Sequence, residues 1–107
     1  MAEKSRQRLT LEQSLVEDPT DTFLRYGLAV QCLRDGDTEE GRERLRALIA
    51  DHPDDQVAAY QQLGQSYLES GESARAIETF RAGIEKAQAR GDWHAVSEME
   101  GLLARLG

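Results

Sequence analysis

Apolar residues recur along this chain at helical spacing and not at the alternating spacing of strands. The clearest stripe is Ala76, Ile77, Phe80, Ile84 and Ala87, whose intervals place all five on one side of a helix. Another runs through Ala95, Met99, Leu102 and Leu106, widened by Val96 and Leu103. The weakest lies near the start and rests on Leu11, Leu15 and Val16. Between the stripes stand helix breakers. Pro19 and Pro53 each follow a helix end. Gly36, Gly71 and Gly91 each precede an acidic residue, as expected when glycine takes the left-handed position past one helix and the acid opens the next. The pattern predicts six helices, at approximately 4–17, 21–35, 38–51, 55–70, 73–89 and 93–106. Connections this short make consecutive helices antiparallel neighbours. The expected class is all-α.

Composition narrows the picture. The chain has 107 residues, enough for one domain with a modest core and no metal or disulfide. Ala, Leu, Glu, Arg and Gln dominate, all good helix formers. Val, Ile and Thr together number only twelve, which leaves little for a sheet. With 13 Lys+Arg against 20 Asp+Glu, the net charge is −7. Nucleic acid and anionic membrane are therefore poor partners. Cys32 is the only cysteine, so no intramolecular disulfide and no multi-cysteine zinc site is possible. The charged start, Met-Ala-Glu-Lys-Ser-Arg-Gln-Arg, leads into no signal-peptide stretch. No apolar run approaches the roughly 18 residues of a membrane span. A reducing cytoplasm is the expected compartment. The basic residues are eleven arginines and two lysines, Lys4 and Lys86, a bias that fits G+C-rich bacterial coding or salt adaptation and says nothing of chemistry.

The chain also repeats itself. A shift of 35 residues pairs Leu28-Ala29 with Leu63-Gly64, Gly36 with Gly71, Gly41 with Ala76 and Leu45 with Phe80. The two prolines lie 34 apart. Two helices per 34–35 residues is the period of a helical solenoid. Small residues at Ala29/Gly64 and Gly41/Ala76 let the helices of a unit approach closely, and Leu45/Phe80 are expected to fill the space between units.

In these residues the chain resembles the tetratricopeptide repeat family. The second unit carries the family pattern in Tyr60, Leu63-Gly64, Tyr67, Ala76, Phe80 and Gly83, with Gln88 in place of the final proline. The first keeps Leu28-Ala29, Leu45 and Pro53 but has Arg25 and Cys32 where aromatics are expected. The resemblance implies a short right-handed α-solenoid of antiparallel helix pairs spanning 1–107. Its parts would be an N-terminal half-unit helix (4–21), a degenerate repeat (22–56), a clear repeat (57–90) and a capping helix (91–107).

No catalytic constellation emerges. His52 lies in a His-Pro turn among Asp51, Asp54 and Asp55, which reads as a solvated junction and not as a metal site. Asp35-Gly36-Asp37-Thr38-Glu39 begins like a calcium loop, but the sixth and twelfth positions hold Glu40 and Arg46. Asp37 with Glu40 reads instead as a helix cap. Cys32 reads as a small buried apolar residue, and no neighbouring base would activate it. Trp93, at the start of the last helix, reads as cover for the end of the core in preference to an exposed anchor. No cofactor and no enzymatic activity are expected.

Function then falls to a surface. The resemblance implies that the first helix of each pair lines a concave face receiving a peptide or a partner's helix. Its residues would be Phe23, Tyr26, Val30 and Leu33 in the first unit, and Ala58, Gln61, Gln65, Leu68 and Glu69 in the second. Phe23, Tyr26 and Val30 form one apolar stripe which, if exposed, argues for docking. Two arrangements stay open: the stripe is free, or Leu11, Leu15 and Val16 pack into it. The family's clamp for acidic C-terminal tails uses lysine and asparagine on this face; here stand Tyr26, Val30, Gln61 and Gln65, and no lysine occurs between Lys4 and Lys86. A basic or largely apolar protein partner is expected, with a homodimer through the stripe or the Trp93 end as the alternative.

Overall fold

The computed structural model describes residues 3–106; Met1, Ala2 and Gly107 lie outside the described residues. Six helices follow one another: α1 (Arg6–Glu17), α2 (Thr22–Arg34), α3 (Thr38–Asp51), α4 (Val57–Glu69), α5 (Ser73–Ala89) and α6 (Trp93–Ala104). Each packs on its sequence neighbour, and α2 and α4 and then α4 and α6 also touch. Among the described residues there is no strand. The molecule is an all-α solenoid of helix pairs.

Two kinds of joint make the turns. At α2–α3, α4–α5 and α5–α6 a glycine adopts the left-handed conformation: Gly36 (φ 86°), Gly71 (φ 77°) and Gly91 (φ 70°). The residue after each glycine donates its backbone N–H back into the helix, Asp37 to Cys32, Glu72 to Tyr67 and Asp92 to Ala87, all at 2.9 Å. That satisfies carbonyls the helix end would orphan. The α1–α2 and α3–α4 joints use Pro19 and Pro53 instead. Asp18 and His52 before them are pushed out of helical geometry, both at φ −138°. Side chains of Ser5, Asp21, Asp37 and Asp92 cap α1, α2, α3 and α6. The capping role expected of Asp37 is therefore present, whereas Glu40 turns away to Arg8 and Arg44.

The core runs as one cluster from Ala29 to Met99. Its close approaches depend on small residues. A Cβ on Gly64 would lie 2.6 Å from the Phe80 ring, and one on Gly41 2.6 Å from Leu33. The Phe80 ring thus lies against Gly64 within the α4–α5 pair. Leu45, Phe80 and Cys32 are all fully buried.

Two expectations need correction. Val16 is 82% exposed, because α1 packs closely on α2 alone and reaches α3 chiefly through Arg8. Trp93 is 64% exposed and does not cover the core end. That task falls to Met99, Leu102 and Leu103 of α6 and to Leu106 just beyond it, while the indole stands in the first turn beside Gly91.

Candidate interaction groove

Helices α2, α4 and α6 form one face of the solenoid, and between α2 and α4 runs a cleft with a cavity at each end. At the N-terminal ends of these helices, about 250 Å³ is lined by Thr22, Phe23, Tyr26, Asp55, Gln56 and Ala58. At the C-terminal ends, about 450 Å³ is bounded chiefly by Val30, Leu33 and Arg34 on one side and Gln65, Ser66 and Glu69 on the other.

The residues anticipated for this face fall into three groups. Phe23 is 83% exposed, with Ala58 and Glu69 also exposed and Val30, Gln61 and Gln65 half-buried. Tyr26 and Leu33 rest partly on the core while still lining the cavities. Leu33 reaches across to Gly41, so it serves helix packing as well as the cleft. Leu68 packs on the core and lines neither cavity. The structure adds Arg34, Gln62, Ser66 and Ser70, which the core-position bookkeeping of the repeat had passed over.

Beneath the larger cavity the floor is built on a buried arginine. Arg42, almost wholly buried, donates to Ser66 Oγ at 2.8 Å, the Ser66 carbonyl at 3.0 Å and Ser70 Oγ at 2.6 Å. It also pairs with Glu72 at 3.0 Å and lies 4.5 Å over the Tyr67 ring. The hydrogen bond from Ser70, with Arg42 beside it, holds the Glu72 carboxyl below its ordinary range. Among the residues lining the two cavities, the acids Asp55 and Glu69 stand against one cation, Arg34. Gln61 Nε2 donates to Glu98 at 3.4 Å and ties α4 to α6.

The first helix leaves this cleft open. Leu11 meets Gly27 on another side of α2, and Leu15 and Val16 border a hollow with Leu28 and Arg44. Chemistry of other kinds finds little here. Burial pushes the Cys32 thiol up to about 11, so it stays protonated near neutrality. Among the described residues no three His, Cys, Asp or Glu side chains gather as a metal site. No helix of the described residues is long and apolar enough to cross a membrane.

Known proteins match this architecture. A family model described as tetratricopeptide repeat matches residues 33–106. The TPR repeat-containing protein PA0015 of Pseudomonas aeruginosa is 30% identical over 96 residues, covering 90% of each chain. A solution structure of a tetratricopeptide repeat domain protein from Salinibacter ruber superposes with a TM-score of 0.77 at 30% identity, over 82% of this chain and 88% of that one. Protein BPP2914 from Bordetella parapertussis superposes with a TM-score of 0.83 at 26% identity, over 95% of this chain and 88% of that one.

Proposed function

The chain belongs to the tetratricopeptide repeat family, and on that premise we propose that it is a non-enzymatic adaptor whose α2–α4 cleft receives a peptide or helical segment of a protein partner. The observation that carries this reading is Phe23. A phenylalanine 83% exposed, in line with Tyr26 and Val30 and beside Ala58, is an apolar surface that a partner would cover. The anchor residues are Phe23, Tyr26 and Val30, and the polar wall is Gln65 and Glu69, with Gln61 on the side of α4 that meets α6. An acidic rim on a chain of net charge −7 favours a partner segment that is apolar with basic flanks. A single buried thiol suits a reducing, cytoplasmic setting.

Peptides selected from a displayed random library, titrated into the isotopically labelled chain, test the reading. Selected peptides should shift amide resonances along α2 and α4. Replacing Tyr26 and Val30 together by glutamate should weaken binding roughly tenfold or more. Shifts confined to α3 and α5, or unchanged affinity in the double variant, would refute the groove. Mass that rises with concentration and falls in the same variant would instead support self-association through the stripe.

A further inference from the structure

The first helix is held differently from the rest of the molecule. No α1 residue belongs to the apolar core, which begins at Ala29. The one α1 side chain that is fully buried is Arg8, 1% exposed. Its Nη2 donates to Glu40 Oε1 at 2.8 Å and Asp37 Oδ2 at 3.1 Å, while Nε stands 3.6 Å from Glu12. Neither Nε nor Nη1 has a hydrogen-bond partner. Around this cluster stand Cys32, Asp35, Arg44 on Glu40 and Lys4 on Glu12. At the helix start, the backbone N–H and Oγ of Ser5 donate to Asp35 at 3.0 and 2.9 Å, and Gln31 donates to Asp35 at 3.1 Å. The apolar share comes from Leu11, against Gly27, and half-buried Leu15; Leu9 and Val16 stay exposed at 52% and 82%.

Such an attachment is finely balanced. Desolvation offsets most of the attraction in a buried ion cluster, and a 12-residue helix is marginal in water on its own. Release of α1 would leave the main apolar cluster in place but uncover Leu28, 1% exposed beside Leu15 and Val16, within a surface of defined recognition chemistry. Asp37 and Glu40 take a guanidinium, Asp35 takes the donors of a serine-capped helix start, and Gly27 leaves room for a leucine. We propose that this surface of α2 and α3 is a helix-binding site in its own right, occupied in cis by α1. In exchange it takes a partner helix bearing an arginine followed by leucines three and seven residues later, as Arg8, Leu11 and Leu15 are spaced. Charge complementarity and the resident segment itself identify that occupant. The site lies on a different side of α2 from the cleft and does not depend on it.

Amide hydrogen exchange on the full chain reads the release directly. Amides of Leu11 through Val16 should exchange on the order of 100-fold faster than those of Leu63 and Phe80, through local opening. Equal protection in α1 and α5 would overturn the proposal, since α1 would then open only with the whole chain. The exchange in trans uses a fluorescent peptide of residues 3–18 and the full chain carrying Arg8→Glu, whose own strap is repelled by Asp37 and Glu40. The peptide should bind this variant saturably, and wild type roughly tenfold more weakly or worse, because its tethered strap competes. The same peptide with its own Arg8→Glu change should lose about tenfold or more in affinity. No binding to the variant, binding indifferent to the peptide's arginine, or loss of helicity throughout the variant would each overturn the proposal.

Discussion

The pairs α2–α3 and α4–α5 occupy equivalent places in the solenoid and are held by different means. In α4–α5 the Phe80 ring fills the space above Gly64, Tyr60 lies against Gly83, and Tyr60 and Tyr67 are both buried. Nearly all of that contact is apolar, and shape decides it. In α2–α3 Leu45 stands for Phe80, Ala29 for Gly64 and Cys32 for Tyr67, and Leu45 and Cys32 are smaller groups that bury less surface. Arg25, where the pattern expects an aromatic, reaches out to Asp51 at 2.9 Å, and α1 is joined to the pair through Arg8. The lesson is that a repeat which has lost its aromatics can keep its geometry by recruiting charge, but the contact then depends on solution conditions as the apolar one does not.

Substitutions can break or sharpen this contrast. The largest effect belongs to Phe80→Ala, which should cost about 3–5 kcal/mol in a urea titration followed by circular dichroism. A loss under about 1 kcal/mol would contradict its place in the core. Gly64→Ala comes next: its Cβ would meet the Phe80 ring at 2.6 Å, so a loss of about 1–3 kcal/mol is expected from overpacking.

Acid should act most on the other pair, although Glu72 at the α4–α5 turn is also held below its ordinary range. Hydrogen bonding from Arg44, with Arg8 adding its charge, holds the Glu40 carboxyl below its ordinary range. The backbone N–H of Ser5, followed by Gln31 and the Ser5 hydroxyl, does the same for Asp35. Groups whose folded pKa is depressed contribute stability that is present at neutral pH and lost as pH falls through the folded values. Exchange protection should therefore vanish first from α1 and last from α4 and α5 as the pH is lowered; uniform loss would remove the contrast. The smallest effect is Gly27→Ala. There a Cβ meets only the two Leu11 methyls, at 3.5 and 3.9 Å, so better helix propensity should stabilise the chain by up to about 1 kcal/mol in the same titration. One substitution type, two signs.

Much of the fold was legible because it is local and periodic. The glycine joints, the proline joints, the capping by Asp37 and the burial of Cys32 all follow from residues within a few positions of one another. The exposed stripe of Phe23 was visible for the same reason, as a helical face the core pattern left unclaimed. Arg8 was not. Its partners Asp37 and Glu40 lie 29 and 32 residues away, and nothing near Arg8 marks it as buried. Trp93 was misjudged because its size argued for cover, whereas its place in a first turn leaves no helix beyond it to cover. Leu33 and Leu68 show a further limit: spacing puts both on the cleft helices, but only three-dimensional packing divides their surfaces between cleft and core.

The exposure of Trp93 also governs what light reveals about this molecule. Its indole is the only one in the chain and already meets water in the folded state. Its emission should therefore resemble that of indole in solution and change little as the chain unfolds. The asymmetric surroundings that generate near-ultraviolet dichroism belong instead to Tyr60 and Tyr67, both in the core. Tryptophan emission would follow what happens at the end of the solenoid and stay almost silent about its centre.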